Sequence, residues 1–462
     1  MKIMHPKNEG ALNIIIVGCG QIGKNLAEQL NEQGNNITVI DFDPATVKEL
    51  STKLDIMGVV GNGATHAVQE EAGIENADLL IAVTGSDELN LLCCLIAKRA
   101  GNCRTVARVK NPDYSKESDY LKNELGLAMV INPEYAAALE IARILRFPSA
   151  LKIDTFAGGR VELVKFRLPE TSPLVGTAVR DVAGRFHCDL LFCTIEREEE
   201  AYIAKGDFVF AAHDIITLVA TPKSAENFFF KIGYKTRPIR RAMIAGGSKT
   251  AHYLCEMLQK DGVKTKLIER DAEICRDFCE AFPDMIVING NTSDRDTLLE
   301  EGLAETDAFV SLTDLDEENI LLSLYAKSVT DGKIVTKINR FDFDDVVRPL
   351  YLDSTVYPEN ITSDNIVRFV RAMKNTRGSN METLYNIIKG KVEAAEFIAR
   401  EGSPVMGKPL SELEIGKNIL LAAILRGNEV IIPRGHDEIR PGDRVVVVSQ
   451  MLPLQDLSDI LR

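Results

Sequence analysis

Long apolar runs are absent from this sequence. No stretch of its 462 residues approaches the ~18 uninterrupted apolar residues that a membrane-spanning helix needs. The first dozen residues, which include Lys2, His5, Lys7 and Glu9, lack the apolar core of a secretory signal peptide. These two absences predict a protein of the cytoplasm.

An excess of basic residues is absent too. The 54 Lys and Arg side chains are outnumbered by 68 Asp and Glu side chains, and the formal net charge is −14. A broad nucleic-acid-binding surface needs a basic stripe. We therefore predict no nucleic-acid partner.

The nine cysteines do not suggest a disulfide framework in a chain of this length. Cys19 lies in a glycine-rich turn, and Cys93 and Cys94 lie in an apolar helical pattern, as is typical of buried reduced thiols. Cys275 and Cys279 are one helical turn apart, but no second pair with zinc-ligand spacing lies nearby. We predict that this pair packs in the core and that the protein has no metal site.

The clearest local pattern is a glycine fingerprint near the start of the chain. Four β-branched residues, 14–17, run into G-x-G-x-x-G, which consists of Gly18, Cys19, Gly20, Gln21, Ile22 and Gly23. Gly18 permits a tight turn, Gly20 lets a pyrophosphate approach the backbone, and Gly23 lets helix and strand pack closely. Ile22, Leu26 and Leu30 follow at helical spacing, so the phosphates would lie at a helix N-terminus.

A second β-branched stretch, residues 37–40, ends at Asp41, 18 residues after Gly23. A carboxylate at this position can accept hydrogen bonds from both hydroxyls of an adenosine ribose, and it would repel the 2′-phosphate of NADP. The combination predicts a dinucleotide site. The alternative is a glycine-rich turn in a Rossmann-like sheet that binds nothing.

Short apolar stretches continue to alternate with helical patterns as far as Pro148. Residues 58–60, 79–84, 105–109 and 129–131 complete a set of six predicted strands. Six strands alternating with helices indicate an α/β fold with a doubly wound parallel sheet, whose ligand crevice lies at the carboxyl ends of the strands. Asn132 and Pro133 predict the start of the last helix. We place this first Rossmann-like domain at residues 12–148.

The pattern then changes to short strands separated by turn residues. Residues 161–166 and 214–219 have strand character, and residues 172–176 resemble a loop. We predict a small α+β module at residues 149–232. It lacks any constellation of catalytic side chains.

The same plan then restarts, which indicates a tandem duplication. Gly246 and Glu269 are separated by the same interval as Gly18 and Asp41. The segment 403–407 likewise repeats the loop at 172–176, and the offset between the two copies stays nearly constant along the chain. Chance does not maintain such a register over half a chain.

The register also holds at the end of the fourth predicted strand. Thr313 and Asn319 repeat the spacing of Thr84 and Asn90. We therefore predict a second Rossmann-like domain at residues 238–372 and a second small α+β module at residues 380–462.

The two copies of the fingerprint differ. In the second, Gly246 is kept, but Ser248 replaces the glycine of closest phosphate approach and Ala251 replaces the packing glycine. Glu269 keeps the ribose carboxylate, although Arg270 follows it directly. Gly246, Ser248 and Glu269 are therefore the candidates at a second, weakened nucleotide site.

Together these motifs resemble the regulator of potassium conductance family, also called KTN domains. The residues that carry the resemblance are 18–23, Asp41, 61–63, 84–90 and 107–109, with 431–435 and 439–445 in the second small module. The match covers nearly all of the chain after residue 11. Two N-type and two C-type modules in one polypeptide are more specific than any single motif.

The resemblance implies a regulatory protein rather than an enzyme. It implies a cytoplasmic homotetrameric ring, peripheral to the inner face of the cell membrane. Such a ring would gate an integral-membrane potassium transporter subunit of the Trk type according to the nucleotide bound. NAD(H) and ATP or ADP are the ligands that the family suggests.

The candidate residues of the first crevice have different expected roles. The backbone N–H groups of Gly18, Gly20, Gln21 and Ile22 would bind the phosphates, with Cys19 in the same turn. Thr84 and Gly85, which follow the fourth strand, would line the crevice. Asn62 stands where many relatives have an acidic residue, so a contact to the ribose or base would be altered.

Two interpretations of neighbouring residues stay open. Arg108 ends the fifth strand, where it can reach a phosphate or form an ion pair with Glu88 or Asp87. For Asp87 we favour a place at the start of a helix, among acidic residues exposed to solvent. The leucines and isoleucine of that helix are predicted to be core: Leu91, Leu92, Leu95 and Ile96.

The alternative from another class is an NAD-dependent oxidoreductase with duplicated Rossmann domains. Hydride transfer needs a substrate domain that presents an acid or base to the nicotinamide. The small modules have only about 80 residues each, and the six histidines are scattered. His66 follows the turn after the third strand and could approach a ligand, but we favour a surface position at a helix start, since it has no carboxylate partner at motif spacing. We predict binding without turnover and no catalytic residues.

Overall fold

The computed structural model describes residues 11–461 with internal gaps. The residues outside the description are 1–10, 102, 113, 115–116, 148–149, 157–158, 199, 235–238, 340–346, 348–349, 351, 376–380, 389–390, 451–453, 455 and 462. The domain boundaries predicted at 148, 149, 238, 380 and 462 lie outside the described residues.

The first half opens with a six-stranded parallel sheet in the order β3-β2-β1-β4-β5-β6. Its strands are β1 (Asn13–Val17), β2 (Asn36–Asp41), β3 (Met57–Val60), β4 (Leu79–Ala82), β5 (Arg104–Arg108) and β6 (Met129–Ile131). Its helices are α1 (Gln21–Glu32), α2 (Pro44–Leu54), α3 (His66–Glu71), α4 (Asp87–Ala100), α5 (Ser118–Glu124) and α6 (Pro133–Arg146). The central strands are apolar and buried because helices cover both faces of the sheet. The predicted doubly wound fold is confirmed.

The chain order reverses between β1 and β4, which lie side by side. At such a switch point the loops after the two strands separate and leave a crevice. The glycine fingerprint follows β1 and Thr84 follows β4, so both lie at this crevice. At its far edge α6 begins as predicted, with the Asn132 side chain accepting the Tyr135 N–H at 2.8 Å and Pro133 in the first turn.

A five-stranded antiparallel sheet forms the first small module, in the order β10-β9-β11-β8-β7. Its strands are β7 (Ala150–Phe156), β8 (Val161–Arg167), β9 (Leu190–Arg197), β10 (Glu200–Ile203) and β11 (Ile215–Ala220). Its helices are α7 (Val179–Phe186) and α8 (Pro222–Lys231). One face packs on the module's own phenylalanine cluster, in which Phe166 and Phe229 meet edge to face at 5.0 Å.

The second half repeats both topologies, with sheet orders β14-β13-β12-β15-β16-β17 and β18-β19-β22-β20-β21. The parallel strands are β12 (Arg241–Ala245), β13 (Lys264–Glu269), β14 (Ile286–Asn289), β15 (Ala308–Ser311), β16 (Lys333–Lys337) and β17 (Ser354–Val356). The helices are α9 (Lys249–Lys260), α10 (Ala272–Ala281), α11 (Arg295–Glu300), α12 (Asp316–Val329) and α13 (Pro358–Asn375). The antiparallel strands are β18 (Met381–Ile388), β19 (Val392–Ile398), β20 (Ile419–Arg426), β21 (Glu429–Ile431) and β22 (Arg444–Gln450). The predicted duplication is therefore present in the fold.

The two Rossmann-like domains exchange their last helices. The apolar face of α6, with Ile141 and Ile144 fully buried, packs into the core of the second domain. In return α13 places Ile366 and Val370 in the core of the first domain, beside α1. Each domain thus completes its core with a helix that starts at the other domain's crevice.

The two small modules also share a core. Val161 and Leu163 of β8 pack in one apolar cluster with Ala394 of β19 and Val446 of β22. Strands of both sheets are therefore buried on both faces. This shared core connects the two halves of the chain, as the helix exchange does between the Rossmann-like domains.

The cysteines are free thiols, and Cys19, Cys93 and Cys94 are buried as predicted. Cys275 is buried as well, whereas Cys279 is exposed, so its predicted place in the core is wrong. The buried face of α10 runs through Cys275 and Phe278, and this leaves the next position of the helix towards solvent.

Among the residues that the structure describes, no helix combines the length and apolarity that crossing a bilayer requires. The same residues contain no group of three or more His, Cys, Asp or Glu side chains arranged to hold a metal ion.

Candidate functional site

The first fingerprint turn has the geometry that its glycines predict. Gly18 has φ +99°, and a Cβ there would lie 2.9 Å from the Thr84 nitrogen. A Cβ on Gly23 would lie 1.9 Å from the Gly18 carbonyl oxygen. At Gly20, by contrast, no atom of the described residues lies within 4 Å of an added Cβ. The backbone at Gly20 therefore borders open space at the mouth of the crevice.

The start of α1 has no side-chain cap. Gly20 occupies the N-cap position, with φ −65° and ψ −171°, and provides no capping oxygen. N–H groups in the first turn of a helix lack partners within the helix and attract anions. Gln21 and Ile22 form this uncapped first turn, whereas Cys19 is buried. Burial, reinforced by Asp41, raises the pKa of the Cys19 thiol to about 12.

The carboxylate of Asp41 holds the fingerprint turn. One of its oxygens accepts the Cys19 N–H at 2.6 Å, and the other accepts the Asp43 N–H at 3.0 Å. Each carboxylate oxygen has a second lone pair. A ribose hydroxyl can therefore be accepted at Asp41 without releasing the turn.

Thr84 and Gly85 follow β4, on the opposite side of the crevice from the fingerprint turn. The Asn90 side chain holds this strand end, since its Oδ1 accepts both the N–H and the hydroxyl of Thr84 at 2.7 Å. Its Nδ2 donates to the Arg108 carbonyl at 3.0 Å. Asn90 is fully buried and links the ends of β4 and β5. No role was predicted for Asn90 from the sequence, although its counterpart in the repeat, Asn319, was a usable signal.

One of the two alternatives predicted for Arg108 was an ion pair with Glu88 or Asp87, and the structure does not show it among the described residues. Its guanidinium donates to the Thr84 carbonyl and forms no ion pair with Glu88 or Asp87 among the described residues. Asp87 instead accepts the backbone N–H groups of Lys110 and Asn111, each at 2.9 Å. Because an arginine is costly to bury, burial lowers the pKa of Arg108, opposed by the carboxylates of Glu134, Asp87 and Glu359. Its Nε is buried without a partner, so the side chain retains a donor for an anion.

Two leucines of α4 were assigned wrongly to the core. Leu92 and Leu95 are 46% and 38% exposed. The buried face of α4 consists instead of Asn90, Cys93, Cys94 and Ala97, which repeat at helical spacing. Leu91 and Ile96 are partly buried.

Asn62 and His66 follow β3. The Asn62 Oδ1 accepts the Ala64 N–H at 2.9 Å, so this side chain stabilises its own turn. His66 begins α3 and has a carboxylate neighbour one helical turn later, Glu70, at 3.3 Å, a pair that was not predicted from the sequence. Both side chains of this pair are more than half exposed.

The second fingerprint has the same turn geometry as the first, but the N-terminus of its helix is capped. Gly246 again has φ +99°, and Glu269 accepts the Gly247 N–H at 2.6 Å and the Asp271 N–H at 2.8 Å. However, the Ser248 hydroxyl caps α9 by accepting the Ala251 N–H at 3.4 Å. The protein's own side chain therefore occupies the position that stays open at Gly20.

The second domain also reaches the first crevice. Tyr253 of α9 accepts a hydrogen bond from the Asn132 side chain at 2.8 Å, and its hydroxyl lies 3.5 Å from the Lys110 carbonyl. Lys249, the first residue of α9, is close enough to Glu88 to help lower its pKa, after the larger effects of the Glu88 backbone N–H and the Ser86 and Tyr114 hydroxyls. These contacts depend on the helix exchange, so the sequence did not reveal them.

Glu134 lies between the basic residues of the two crevices. It forms an ion pair with Lys110 at 3.5 Å and acts electrostatically on Arg108. It also acts on Lys337, the counterpart of Arg108, whose pKa is lowered by burial and raised in part by Asp314, Glu134 and Asp316. The two crevices are therefore electrostatic neighbours.

Two domain families match this chain twice each. The TrkA-N domain matches residues 14–133 and 242–358, and the TrkA-C domain matches residues 163–231 and 394–461. In the structure, these ranges fall on the two parallel sheets and on the two antiparallel sheets.

Curated relatives match over almost their full length. The Trk system potassium uptake protein TrkA homolog 1 of Methanosarcina mazei is 32% identical over 446 residues, which are 95% of this chain and 97% of the relative. The Trk system potassium uptake protein TrkA of Haemophilus influenzae is 31% identical over 443 residues, which are 94% and 95% of the two chains.

Solved structures share the fold at lower identity. The GsuK RCK domain aligns with 96% of this chain and 93% of its own, with a TM-score of 0.62 and 17% identity. The GsuK channel bound to NAD aligns with 96% of this chain and 78% of its own, with a TM-score of 0.63 and 17% identity. From the paired domain matches and the full-length relatives, we conclude that this chain belongs to the TrkA family, with two TrkA-N and two TrkA-C domains.

Proposed function

We propose that this protein is a nucleotide-sensing regulatory subunit that gates a potassium-uptake transporter of the Trk type. The observation that carries the proposal is the uncapped, open fingerprint at Gly20 in a chain of the TrkA family. The relatives are named as potassium uptake proteins of the Trk system, which supports the transport role. The protein would act at the cytoplasmic face of the membrane, on an integral-membrane subunit.

The first crevice is the proposed sensor. Phosphates would bind the N–H groups at the start of α1, the ribose would bind Asp41, and Thr84 and Gly85 would line the opposite wall. NAD(H) fits the two-part pattern of phosphate turn and ribose carboxylate, and a GsuK channel with this fold has been solved with NAD. ATP and ADP share the adenosine and phosphate groups and are the alternative or additional ligands.

Arg108 is the proposed discriminating residue. ATP and ADP differ by one phosphate, and Arg108 retains an unpartnered donor beside several carboxylates. A phosphate that reached this guanidinium would compete with those carboxylates for it. Ligands can shift an equilibrium only through unequal affinity for its states, and this contact provides such a difference.

The signal would pass between domains through the exchanged helices. Since α6 starts at the first crevice and packs in the second domain, a change at the crevice alters the packing of both. The small modules share a core and would move with them.

A homotetrameric ring is the proposed assembly, with eight Rossmann-like domains. Equivalent leucines are exposed in both halves: Leu92 on α4 and Leu321 on α12 are 46% and 67% exposed. Leu95, one helical turn after Leu92, extends the α4 face, and Leu315 is exposed just before α12 begins. Exposed apolar faces at matching positions fit contacts between copies of the chain.

Calorimetric titration with NADH, ATP and ADP tests the sensor. We expect saturable binding that Asp41→Ala weakens by about tenfold, a loss of roughly 1.4 kcal/mol. Glu49→Ala, at an exposed residue of α2, is the matched control and should bind as the unmodified protein does. A protein that binds none of the three nucleotides would refute the proposal.

Reconstitution tests the regulatory role. The protein should co-purify with a Trk-type membrane subunit and make potassium flux into vesicles depend on the nucleotide added. Assays over a panel of dehydrogenase substrates should show no turnover. Robust turnover would instead favour the oxidoreductase alternative.

A further inference from the structure

Helix α1, which begins at the first fingerprint, packs against the exchanged helix α13. Its apolar residues Leu26 and Leu30 lie in one core with Val370 of α13. Near the start of α1, the Asn25 side chain donates to the Asn360 side chain of α13 at 3.2 Å. The position of α1 is therefore tied to that of α13 over most of its length.

The end of α1 is held by two cations of the same exchanged helix. Gln33 is the C-cap residue of α1. Its side-chain oxygen accepts the Nε–H of Arg371 at 3.0 Å, and its carbonyl accepts a hydrogen bond from the Lys374 ammonium at 3.1 Å. The last carbonyls of a helix lack partners within the helix and favour nearby cations. Arg371 and Lys374 thus fix the end of the helix whose start forms the fingerprint turn.

Arg371 also reaches the second small module. Its Nη1 lies 3.6 Å from the Oε1 of Glu393, a residue of β19, and the two side chains are only 22% and 26% exposed. A partly buried ion pair is screened less by water and salt than a pair on the open surface. The planar guanidinium has five N–H donors, so it can serve two partners at once. A single side chain therefore joins the fingerprint helix to the strand that lies between β18 and β22.

The other half of the chain has the ion pair but a different helix end. Arg146 of α6 and Glu162 of β8 are the counterparts of the pair, and their Nη2 and Oε1 atoms lie 3.3 Å apart. Asp261, the C-cap residue of α9, is the counterpart of Gln33. The Arg146 side chain is 58% exposed, and no hydrogen bond or ion pair joins it to Asp261 in the described part of the chain. Within that part, the arrangement is peculiar to the helix of the first crevice.

We propose that Arg371 couples the fingerprint helix of the first crevice to the second small module. A nucleotide that binds at the start of α1 alters the position or the stability of this helix. The change reaches Arg371 through Gln33, and it reaches β19 through Glu393. The two small modules therefore respond unequally to the first crevice. The proposal rests on the sensor proposed for that crevice and adds a route by which its signal leaves the Rossmann-like domains.

Hydrogen exchange in the nucleotide-free, full-length protein tests the link itself. Coupling is reciprocal, so a change at Glu393 must be felt in α1. In Glu393→Gln, the amides at 33–34 should exchange about three- to tenfold faster than in the unmodified protein, because Arg371 loses one of its two anchors. Glu162→Gln is the matched control and should leave the amides at 261–262, the end of α9, unchanged. Unchanged exchange at 33–34 in Glu393→Gln would overturn the proposal.

A second variant keeps the charge and removes the fork. Arg371→Lys retains a cation for Glu393, but the compact ammonium of lysine does not reproduce the fixed geometry of the guanidinium donors. The amides at 33–34 should again exchange about threefold faster or more. Arg146→Lys, at the counterpart position, should leave the ends of both fingerprint helices unchanged. Normal exchange at 33–34 in Arg371→Lys would contradict the role given to the guanidinium.

Addition of NADH tests whether the link carries a signal. In the unmodified protein, saturating NADH should slow amide exchange in β19 by about threefold or more, because binding restrains α1. This slowing should vanish in Arg371→Lys, although calorimetry should show NADH bound within about threefold of the unmodified affinity. In Arg146→Lys the slowing should remain. A slowing that survives Arg371→Lys would refute the coupling.

Failure of the sensor and failure of the coupling give different results. A protein that binds none of NADH, ATP and ADP would refute the sensor, and the nucleotide-free exchange at the end of α1 would then decide alone whether Arg371 links this helix to β19. Nucleotide binding without any response of β19 would leave the sensor intact and refute the coupling.

Discussion

The hydroxyl of Tyr253 lies 2.8 Å from the side-chain nitrogen of Asn132 and joins the second fingerprint helix to the cap of α6. Tyr253 is buried, and its ring meets Tyr135 edge to face at 5.4 Å. A residue of the second domain thus holds the edge of the first crevice. The contact exists only because the two domains exchange helices.

Removing this hydroxyl isolates the contact. Tyr253→Phe keeps the ring packing but deletes the hydrogen bond, so we expect a loss of about 1 kcal/mol in the free energy of unfolding. Affinity for NADH at the first crevice should fall by up to about fivefold, because Lys110 and Asn132 lose a shared support. Denaturant titration and calorimetry measure the two effects. Tyr120→Phe, at a tyrosine that is 61% exposed, should change neither.

Gly20→Ala separates binding from folding. The backbone angles at Gly20 suit any residue, and an added Cβ meets no described atom within 4 Å. The variant should fold with unchanged Tm, yet bind nucleotide at least about tenfold more weakly, because the methyl group occupies the space of the phosphate. Gly184→Ala in α7 is the control. An alanine inside this helix should raise the free energy of unfolding by about 0.5–1 kcal/mol and leave nucleotide binding intact. Normal affinity in Gly20→Ala would place the phosphates elsewhere.

The paired asparagines allow a matched comparison. Asn90 and Asn319 each bridge two strand ends, with Asn319 accepting the Thr313 N–H at 2.8 Å and donating to the Lys337 carbonyl at 3.1 Å. Replacement by alanine leaves buried groups unpaired, and each variant should lose about 2–3 kcal/mol of unfolding free energy. Only Asn90→Ala should also weaken NADH binding at the first crevice. Equal losses of binding in both variants would show that the second crevice takes part.

The exposed leucines provide a test of assembly. Leu92→Asp and Leu321→Asp place a charge on the α4 and α12 faces, and we expect the combined variant to dissociate into smaller species in sedimentation experiments. Their exposure predicts little change in the stability of the isolated chain. Leu299→Asp, at a leucine of similar exposure on α11, should leave the assembly intact. A tetramer that survives the double substitution would move the interface to another face.

Local sequence patterns were sufficient for the plan of the molecule. The β-branched run before Gly18, the strand ending at Asp41 and the nearly constant offset of the second half predicted both parallel sheets and the duplication. They succeed because strand periodicity, glycine conformations and helix caps are properties of neighbouring residues. The turn geometry at Gly18 and Gly23 follows from the same local chemistry.

Only the tertiary structure decided which surfaces meet. An apolar helix face such as that of α6 must be buried, but its sequence does not say that Ile141 packs in the second domain. The same limit explains why Leu92 was predicted to be core and why the partner of Arg108 was missed. Burial and hydrogen bonding depend on residues distant in the chain, brought together here by the exchanged helices. The sequence determined the two Rossmann-like units and their fingerprints, whereas the link between the two crevices arose from their packing.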